Sequence, residues 1–238
     1  MARYALRPQS TRKFVIFAQG RSGSTLLTST LNAHPEIACK KEILGLPRLR
    51  PLTYIENEAR KAAPRHFGFH VKCYQLAKWQ RVRDLQPFLR QLDAHGWKII
   101  YLLRENVFEQ AVSNIYAEHV GQYHFLKDAG AARPTLPHVD PNSLLARMRD
   151  RMTFRSWEQS ALLNLPHLAL SYDRHLRYES AHARTFERIQ EFLGVRREAL
   201  PISLAKVVNR PLSEMIGNYR EVAARVRQTE FAGLLEPA

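Results

Sequence analysis

The sequence predicts a single α/β domain with a central, mainly parallel sheet flanked by helices. The first observation is that short apolar runs rich in β-branched residues recur along the chain, and three of the four are apolar almost throughout. Such runs are typical of strands covered on both faces. The second observation is that helical patterns alternate with these runs. A chain of 238 residues can bury one substantial core, so we expect one domain over residues 1–238.

Four strands are predicted, at residues 13–18, 67–71, 98–103 and 167–171, in the runs KFVIFA, FGFHV, KIIYLL and HLALS. Three helices are predicted from apolar side chains that repeat at helical spacing, at residues 82–92, 108–115 and 186–193. Asn106 is expected to cap the second helix, with Glu109 at its third position. Gly96 and Gly194 are expected to end the first helix and the third.

Two segments do not match this pattern of strands and helices. Residues 42–65 are basic and contain three prolines, and residues 123–141 have the composition of a loop. Long irregular insertions in a compact domain are often lids or binding loops, although mobile surface segments have the same composition. We expect both segments to be irregular and to frame a binding site.

The composition favours an anionic ligand or partner. Lys and Arg outnumber Asp and Glu by 36 to 22, which gives a formal net charge of +14. This charge suits nucleic acid, an acidic membrane surface or a small polyanion, and it also suits a solvated basic surface. Cys39 and Cys73 form no CxxC motif, so we expect no disulfide framework, no cysteine zinc site and a reducing cytoplasm. No stretch approaches the roughly 18 apolar residues of a membrane span, so we expect a soluble protein.

The segment QGRSGST, residues 19–25, lies between the first predicted strand and a helix that we expect to begin near Ser24. Backbone N–H groups at such a turn point inward, the helix N-terminus adds partial positive charge, and Arg21 adds a full one. An ordinary Gly/Ser loop has the same composition. The position directly after the first buried strand favours a phosphate-binding loop.

This loop lacks the lysine of the nucleotide triphosphatases. Those proteins carry G-x-x-x-x-G-K-[ST], in which the lysine reaches the terminal phosphates and the hydroxyl holds magnesium. Here Gly23 is followed by Ser24 and Thr25, and the strand KIIYLL leads into Arg104 rather than into an acidic residue. A P-loop-like phosphotransferase or kinase is therefore disfavoured, and we expect an anion bound without metal. Magnesium-dependent ATP hydrolysis would reveal the disfavoured alternative.

The motifs GRSGSTLL and LNAHPEI with a following glutamate, together with YLLRENVFEQAVS, resemble those of the PAPS-dependent sulfotransferases. The resemblance is nearest to the bacterial and to the carbohydrate- or tyrosine-directed branches, and the tail NRPLSEMIGNYREVAARVRQT is similar to the C-terminal region of that family. It implies a P-loop-like fold and in-line transfer of a sulfuryl group from 3′-phosphoadenosine 5′-phosphosulfate (PAPS) to a hydroxyl, without metal. PAP, the desulfated nucleotide, is then the product. The acceptor expected is a glycan, a glycolipid or another alcohol or phenol.

The resemblance also implies roles for individual residues. The 5′-phosphosulfate would be held by the loop residues Gly20, Arg21, Ser22, Gly23, Ser24, Thr25 and Leu26. Arg21 would also neutralise charge on the leaving oxygen. Arg104 and Ser113 would bind the 3′-phosphate. Tyr172 would lie near the adenine, although tyrosine is also common at strand ends.

The position of Arg104 can be argued from the residues as well. It follows a predicted strand, and ligands of open α/β sheets bind at the carboxyl ends of strands. A planar guanidinium suits bidentate contact with phosphate. The alternative is a surface salt bridge with Glu105 or Glu109. Ser113 lies opposite the apolar stripe of the next helix.

Glu42 is the general base that the resemblance implies, because it follows His34 and Pro35 at the short spacing of the family. We expect the neighbouring Lys40 and Lys41 to keep it ionised. The alternative is a solvated glutamate in a lysine-rich turn.

Five further residues have weaker assignments. His66 and His70 lie four residues apart, but no third ligand lies at a useful spacing, so we expect no metal site. His70 is the second candidate for the base. Asn209, Arg210 and Tyr219 would close over the nucleotide.

A basic nucleic-acid-binding protein is the remaining alternative. The basic residues are dispersed along the chain, and no helix–turn–helix, RRM or zinc-finger pattern appears in the sequence. We therefore expect no nucleic-acid partner. Filter binding that weakens steeply with salt would reveal one.

Overall fold

The computed structural model describes residues 12–63, 65–121, 135–202 and 211–235. Its centre is a five-stranded parallel sheet with strand order β2-β3-β1-β4-β5. The strands are β1 Lys13–Ala18, β2 Ile37–Lys40, β3 His66–Val71, β4 Trp97–Leu103 and β5 His167–Ser171. The predicted α/β fold with a parallel sheet is confirmed, and so are the four predicted strands. The short edge strand β2 was not predicted.

Seven α-helices are described around this sheet. They are α1 Ser24–Asn32, α2 Pro51–Ala62, α3 Leu85–Ala94, α4 Val107–Val120, α5 Pro141–Leu162, α6 His182–Leu193 and α7 Tyr219–Val226. Two π-helical turns cover Gln75–Trp79 and Tyr172–Leu176, and three 3₁₀ turns cover Glu179–Ala181, Leu212–Glu214 and Ala232–Leu234. None of the helices in the described ranges combines the length and apolar character needed to cross a membrane.

The predicted helix ends are confirmed with one correction. The Asn106 side chain accepts a hydrogen bond from the amide of Glu109 at 3.0 Å and so caps α4. Gly194 has φ 72° at the end of α6, as a C-terminal glycine cap requires. The first predicted helix was placed too early, because Asp84 accepts the amide of Gln86 and starts α3 at Leu85.

Residues 42–65 are not irregular throughout, contrary to the prediction. They contain α2, whose Pro51 occupies the first helical turn, where a missing N–H costs nothing. Ile55 is fully buried, and Glu56 accepts hydrogen bonds from Lys13 at 3.0 Å and from the indole of Trp97 at 2.7 Å. The segment is therefore part of the scaffold. Residues 123–134 of the second segment lie outside the described residues.

The sheet is covered by apolar side chains on both faces, as the continuous apolar runs indicate. In β1, Val15 and Phe17 belong to one core cluster, and Phe14 and Ile16 belong to the other. Gly68 of β3 lies under the Phe14 ring, where an added Cβ would be 2.0 Å from Cζ. A glycine is required there, because a larger residue would displace a fully buried ring.

Helix α5 was not predicted, although it has 22 residues and an Asp140 cap. Its apolar side chains do not form one stripe. Leu144 and Met148 pack in a cluster with α4 and α7, whereas Ala161 packs in the cluster on one face of the sheet. Between these two ends, the helix passes the carboxyl ends of β1 and β4.

Candidate active site

The predicted phosphate-binding loop, residues 20–26, connects β1 to α1. Arg21 and Gly23 both have left-handed backbone conformations, with φ 65° and 87°. This conformation is rare for arginine and costs about 1–3 kcal/mol, a strain that is typical of functional loops. Gly23 cannot be replaced without strain, because an added Cβ would lie 2.7 Å from Tyr172. The Ser22 hydroxyl donates to the carbonyl of Gln19 at 2.7 Å and fixes the turn from inside.

Arg104 and Ser113 both reach this loop. The guanidinium Nη1 of Arg104 donates to the carbonyl of Arg21 at 3.3 Å. The Nε of Arg21 in turn donates to the Ser113 hydroxyl, which is buried, at 3.1 Å. Because β1 and β4 are parallel neighbours, their carboxyl ends bring these residues together. Three predicted site residues that are far apart in the sequence therefore form one cluster.

Arg104 also forms an ion pair with Glu109, which was the alternative weighed from the sequence. Its Nη2 lies 2.7 Å from Glu109 Oε2, but the pair is internal, since the Arg104 side chain is only 11% exposed. Arg177 binds the other oxygen of the same carboxylate at 3.0 Å. Burial opposes ionisation of Glu109, but the two arginines lower its pKa below the ordinary value. Glu109 therefore holds both guanidinium groups in place.

Tyr172 lies between this cluster and the loop. The Arg104 guanidinium is 4.7 Å from the centre of its ring, a distance typical of a cation–π contact. The same ring borders Gly23. Tyr172 thus forms an aromatic wall beside the loop.

Glu42 lies beside the loop on its other side, near the carboxyl ends of β2 and β3. Its Oε2 is 2.7 Å from Lys72 Nζ, and the Gln75 amide donates to the same oxygen. Its side chain remains 37% exposed. Burial opposes ionisation, but the hydrogen bond and charge of Lys72, aided by the hydrogen bond from Gln75, lower the Glu42 pKa below its ordinary 4.5. Glu42 is therefore ionised at neutral pH.

The residues that keep Glu42 ionised are not those the sequence suggested. Lys40 points instead to Glu58, with its Nζ 2.6 Å from the carboxylate, and Lys41 is exposed. Lys40 and Glu42 differ by two positions, but a turn follows β2, so neighbours in sequence point apart. Lys72 is the partner because it directly follows β3, the strand next to β2.

His70 is buried at the end of β3 behind Glu42. Its Nε2 lies 3.1 Å from the carbonyl of Ala18, so this nitrogen carries the proton, and its Nδ1 lies 3.7 Å from Glu42 Oε1. Burial lowers the His70 pKa to about 4, so the ring is neutral at pH 7. Within the described part of the chain, no group of three or more His, Cys, Asp or Glu side chains is arranged to hold a metal ion.

Gly20 of the loop is contacted both by residues that follow β3 and by residues of α4 and α5. A Cβ added to it would lie 3.6 Å from the Tyr74 hydroxyl and 3.7 Å from Lys72 Cε. Its carbonyl accepts hydrogen bonds from Gln110 at 2.8 Å and from Arg151 of α5 at 3.3 Å. No motif in the sequence singles out Arg151. Lys72 follows a predicted strand just as Arg104 does, and this position is the signal that could have identified it.

A buried carboxyl group accepts a hydrogen bond from Gln19, the residue directly before the loop. Glu158 of α5 accepts hydrogen bonds from Gln19 at 3.2 Å and from the Tyr101 hydroxyl at 3.3 Å. Burial raises the Glu158 pKa to about 7. It is therefore partly protonated at neutral pH.

Of the three residues expected to close over the nucleotide, the structure describes Tyr219. Asn209 and Arg210 lie outside the described residues. Tyr219 begins α7, and its ring packs 6.4 Å from that of Phe108 in the cluster between α4, α5 and α7.

Comparison with solved structures found similar folds among sulfotransferases, one of them with a TM-score above 0.5. The structure of a sulfotransferase from Alicyclobacillus acidocaldarius superposes with a TM-score of 0.51 at 14% identity, covering 96% of this chain and 100% of that one. The sulfotransferase domain of the Synechococcus PCC 7002 olefin synthase gives 0.48 at 15% identity, with 98% and 92% covered. A mouse sulfotransferase complexed with PAP gives 0.45 at 15% identity, with 97% and 69% covered.

No family model matches this sequence, and no curated protein is significantly similar to it. At 14% identity, the likeness to the Alicyclobacillus structure shows a common P-loop-like α/β fold.

Proposed function

We propose that the protein is a sulfotransferase that moves a sulfuryl group from PAPS to the hydroxyl of an acceptor. The observation that carries the proposal is the convergence of Arg21, Arg104 and Ser113 at the loop, with an ion-paired Glu42 on its other side. The first group supplies positive charge and hydrogen-bond donors for a polyanion. The second supplies a carboxylate base.

The donor would bind across the loop. The amides of residues 20–26 and the N-terminus of α1 face the 5′-phosphosulfate, and Gly23 has no side chain to obstruct them. Arg104 and Ser113 bind the 3′-phosphate. Because Glu109 already orients the Arg104 guanidinium, little side-chain entropy remains to be lost on binding. Tyr172 offers its ring to the adenine.

Transfer would proceed in line between the two sides of Gly20. The acceptor oxygen forms a bond to sulfur while the bond between sulfur and the bridging phosphate oxygen breaks, and the acceptor proton passes to Glu42. Arg21 neutralises the charge that develops on the leaving phosphate. Lys72 keeps Glu42 ionised and lies next to Gly20, so it also faces the developing charge.

The acceptor we propose is a glycan, a glycolipid or another alcohol or phenol, as in the bacterial and the carbohydrate- or tyrosine-directed branches. The reaction needs no metal, because the loop, Arg21 and Arg104 supply positive charge. The two buried cysteines, Cys39 and Cys73, are free thiols, which supports a reducing cytoplasm as the site of action.

The proposal is tested by transfer of labelled sulfate. Purified protein is incubated with PAPS labelled in the sulfuryl group and a panel of glycans, glycolipids and phenols, in the presence of EDTA. We expect labelled product with at least one acceptor class and release of an equal amount of PAP. Magnesium-dependent hydrolysis of ATP, with no transfer to any acceptor, would instead support a phosphotransferase.

A further inference from the structure

Arg151 is a cation of the site whose hydrogen-bond acceptors, in the part of the chain that the structure describes, are all neutral. It lies on α5, and its guanidinium donates to the carbonyl of Gly20 at 3.3 Å and to the Asn114 side chain at 2.8 Å. Both acceptors are neutral. In the described ranges of the chain, no carboxylate oxygen lies within 4.0 Å of this guanidinium.

Other cations of the site are compensated by the protein itself. Lys72 lies 2.7 Å from Glu42, and Arg104 lies 2.7 Å from Glu109. Burial is the main cause that lowers the Arg151 pKa below its ordinary value, yet a guanidinium stays protonated at neutral pH. A partly buried charge of this kind is stabilised when an anion binds beside it.

The position of Arg151 indicates which anion this is. Its acceptor Asn114 directly follows Ser113, the residue that Arg21 contacts. Its other acceptor, the carbonyl of Gly20, belongs to a residue that Lys72 also borders. Arg151 therefore contacts Gly20, the loop residue that lies between the Arg104 cluster and the pair of Lys72 with Glu42.

We propose that Arg151 contacts the sulfuryl group of PAPS and holds it for transfer, so that it supplies the charge of the lysine this loop lacks. The assignment rests on the proposed function. The sulfuryl oxygens carry negative charge both in PAPS and in the loose, charge-dispersed transition state. PAP has no sulfuryl group, so in the complex with PAP the guanidinium keeps only its two neutral partners.

A purely structural role predicts a different result. If Arg151 only held the loop, its loss would weaken PAP and PAPS equally, because both use the loop for the 5′-phosphate. Gln110 donates to the same carbonyl of Gly20 at the shorter distance of 2.8 Å. The loop therefore keeps an anchor when Arg151 is replaced.

The test is calorimetric titration of PAP and of PAPS, in EDTA, with four proteins: wild type, Arg151→Gln, Arg151→Lys and the control Arg149→Gln. Arg149 lies on the same helix but is exposed and paired with Glu230 at 2.9 Å. We expect Arg151→Gln to weaken PAPS at least about tenfold and PAP less than about twofold, as for the loss of a charge-assisted contact. Arg151→Lys restores part of the preference for PAPS, and Arg149→Gln changes neither affinity.

Each of the following results would overturn the assignment. Equal weakening of PAP and PAPS would make Arg151 a loop anchor, and unchanged PAPS affinity would remove it from the donor site. A wild-type protein that binds neither nucleotide would overturn the proposed function and this assignment together. If Arg151→Gln does not fold, the test rests on Arg151→Lys. A ratio of PAPS to PAP affinity equal to that of the wild type in this variant would also contradict the proposal.

Discussion

The two sides of the loop differ in how their charges are compensated. On one, which we call the nucleotide side, Arg104 and Arg177 share the carboxylate of Glu109. On the other, the transfer side, Glu42 pairs with Lys72. At Gly20, between the two sides, the hydrogen-bond acceptors of Arg151 in the described part of the chain are neutral. The carboxylate of Glu109 thus orients two guanidinium groups on the nucleotide side, whereas no carboxylate of the described residues pairs with Arg151. We propose that nucleotide binding and sulfuryl transfer use different sides of one loop.

The largest effect is expected from Glu42→Gln, which would separate transfer from binding. A general base acts on the acceptor and not on the nucleotide, so transfer is expected to slow by about 10²–10⁴-fold. PAP affinity is expected to stay near normal. The measurement is single-turnover transfer from labelled PAPS to an accepted substrate, with PAP titration beside it. Transfer at the wild-type rate would show that Glu42 is not the base. Loss of PAP binding would show that Glu42 also contributes to the nucleotide side, so that the two sides are not separate.

Arg104→Ala tests the nucleotide side. A charge-assisted contact of this kind contributes about 1.5–3 kcal/mol, so PAP is expected to bind about 10–100-fold more weakly. Adenosine 5′-phosphate lacks the 3′-phosphate, so its affinity is expected to change little. Competition titrations with both nucleotides give the two ratios. If the affinities for both nucleotides fall by the same factor, Arg104 does not contact the 3′-phosphate.

The Glu158 carboxyl group gives the scaffold under the loop a pH dependence. Its pKa of about 7 in the folded protein exceeds the ordinary 4.5, so the folded state binds more protons between these values. Stability is therefore expected to fall by about 1–3 kcal/mol as pH rises through this window. Urea unfolding at pH 5 and pH 8 measures it.

Glu158→Gln is expected to flatten this dependence, because an amide does not titrate. The control is Glu187→Gln, at an exposed position of α6, which keeps the wild-type dependence. If the Glu158→Gln protein loses as much stability between pH 5 and pH 8 as the wild type, a group other than Glu158 causes the pH dependence.

The smallest effects are expected in the pH–rate profile, where variants of Lys72 and Lys40 show which lysine keeps Glu42 ionised. Lys72→Met removes the hydrogen bond and charge that lower the Glu42 pKa, so the acid limb of the pH–rate profile is expected to move up from its wild-type position below pH 4.5. Lys40→Ala is expected to leave the profile unchanged, because Lys40 pairs with Glu58. If Lys40→Ala shifts the acid limb and Lys72→Met does not, Lys40 rather than Lys72 keeps Glu42 ionised, as the sequence suggested.

The nucleotide side was largely visible in the sequence. Its loop follows an apolar strand, Arg104 ends another strand, and the cap of Asn106 on α4 is a local pattern. Each of these features depends on a few consecutive residues and on the rule that parallel strands meet at one edge of the sheet. Their roles in binding PAPS remain predictions.

The transfer side was only partly visible, because it depends on distant contacts. Arg151 is separated from Gly20 by 131 positions and lies on a helix whose apolar side chains face two different clusters. The edge strand β2 has four residues, too few to show a strand pattern. Lys72 did carry a usable signal, because it follows a predicted strand.

The measurement that tests the central claim most directly is calorimetric titration of the wild-type protein with PAP and with adenosine 5′-phosphate in EDTA. The account predicts that PAP binds without divalent metal and at least about tenfold more tightly than adenosine 5′-phosphate, since the 3′-phosphate gains a charge-assisted contact with Arg104. Equal affinities, or binding that appears only when magnesium is added, would contradict it.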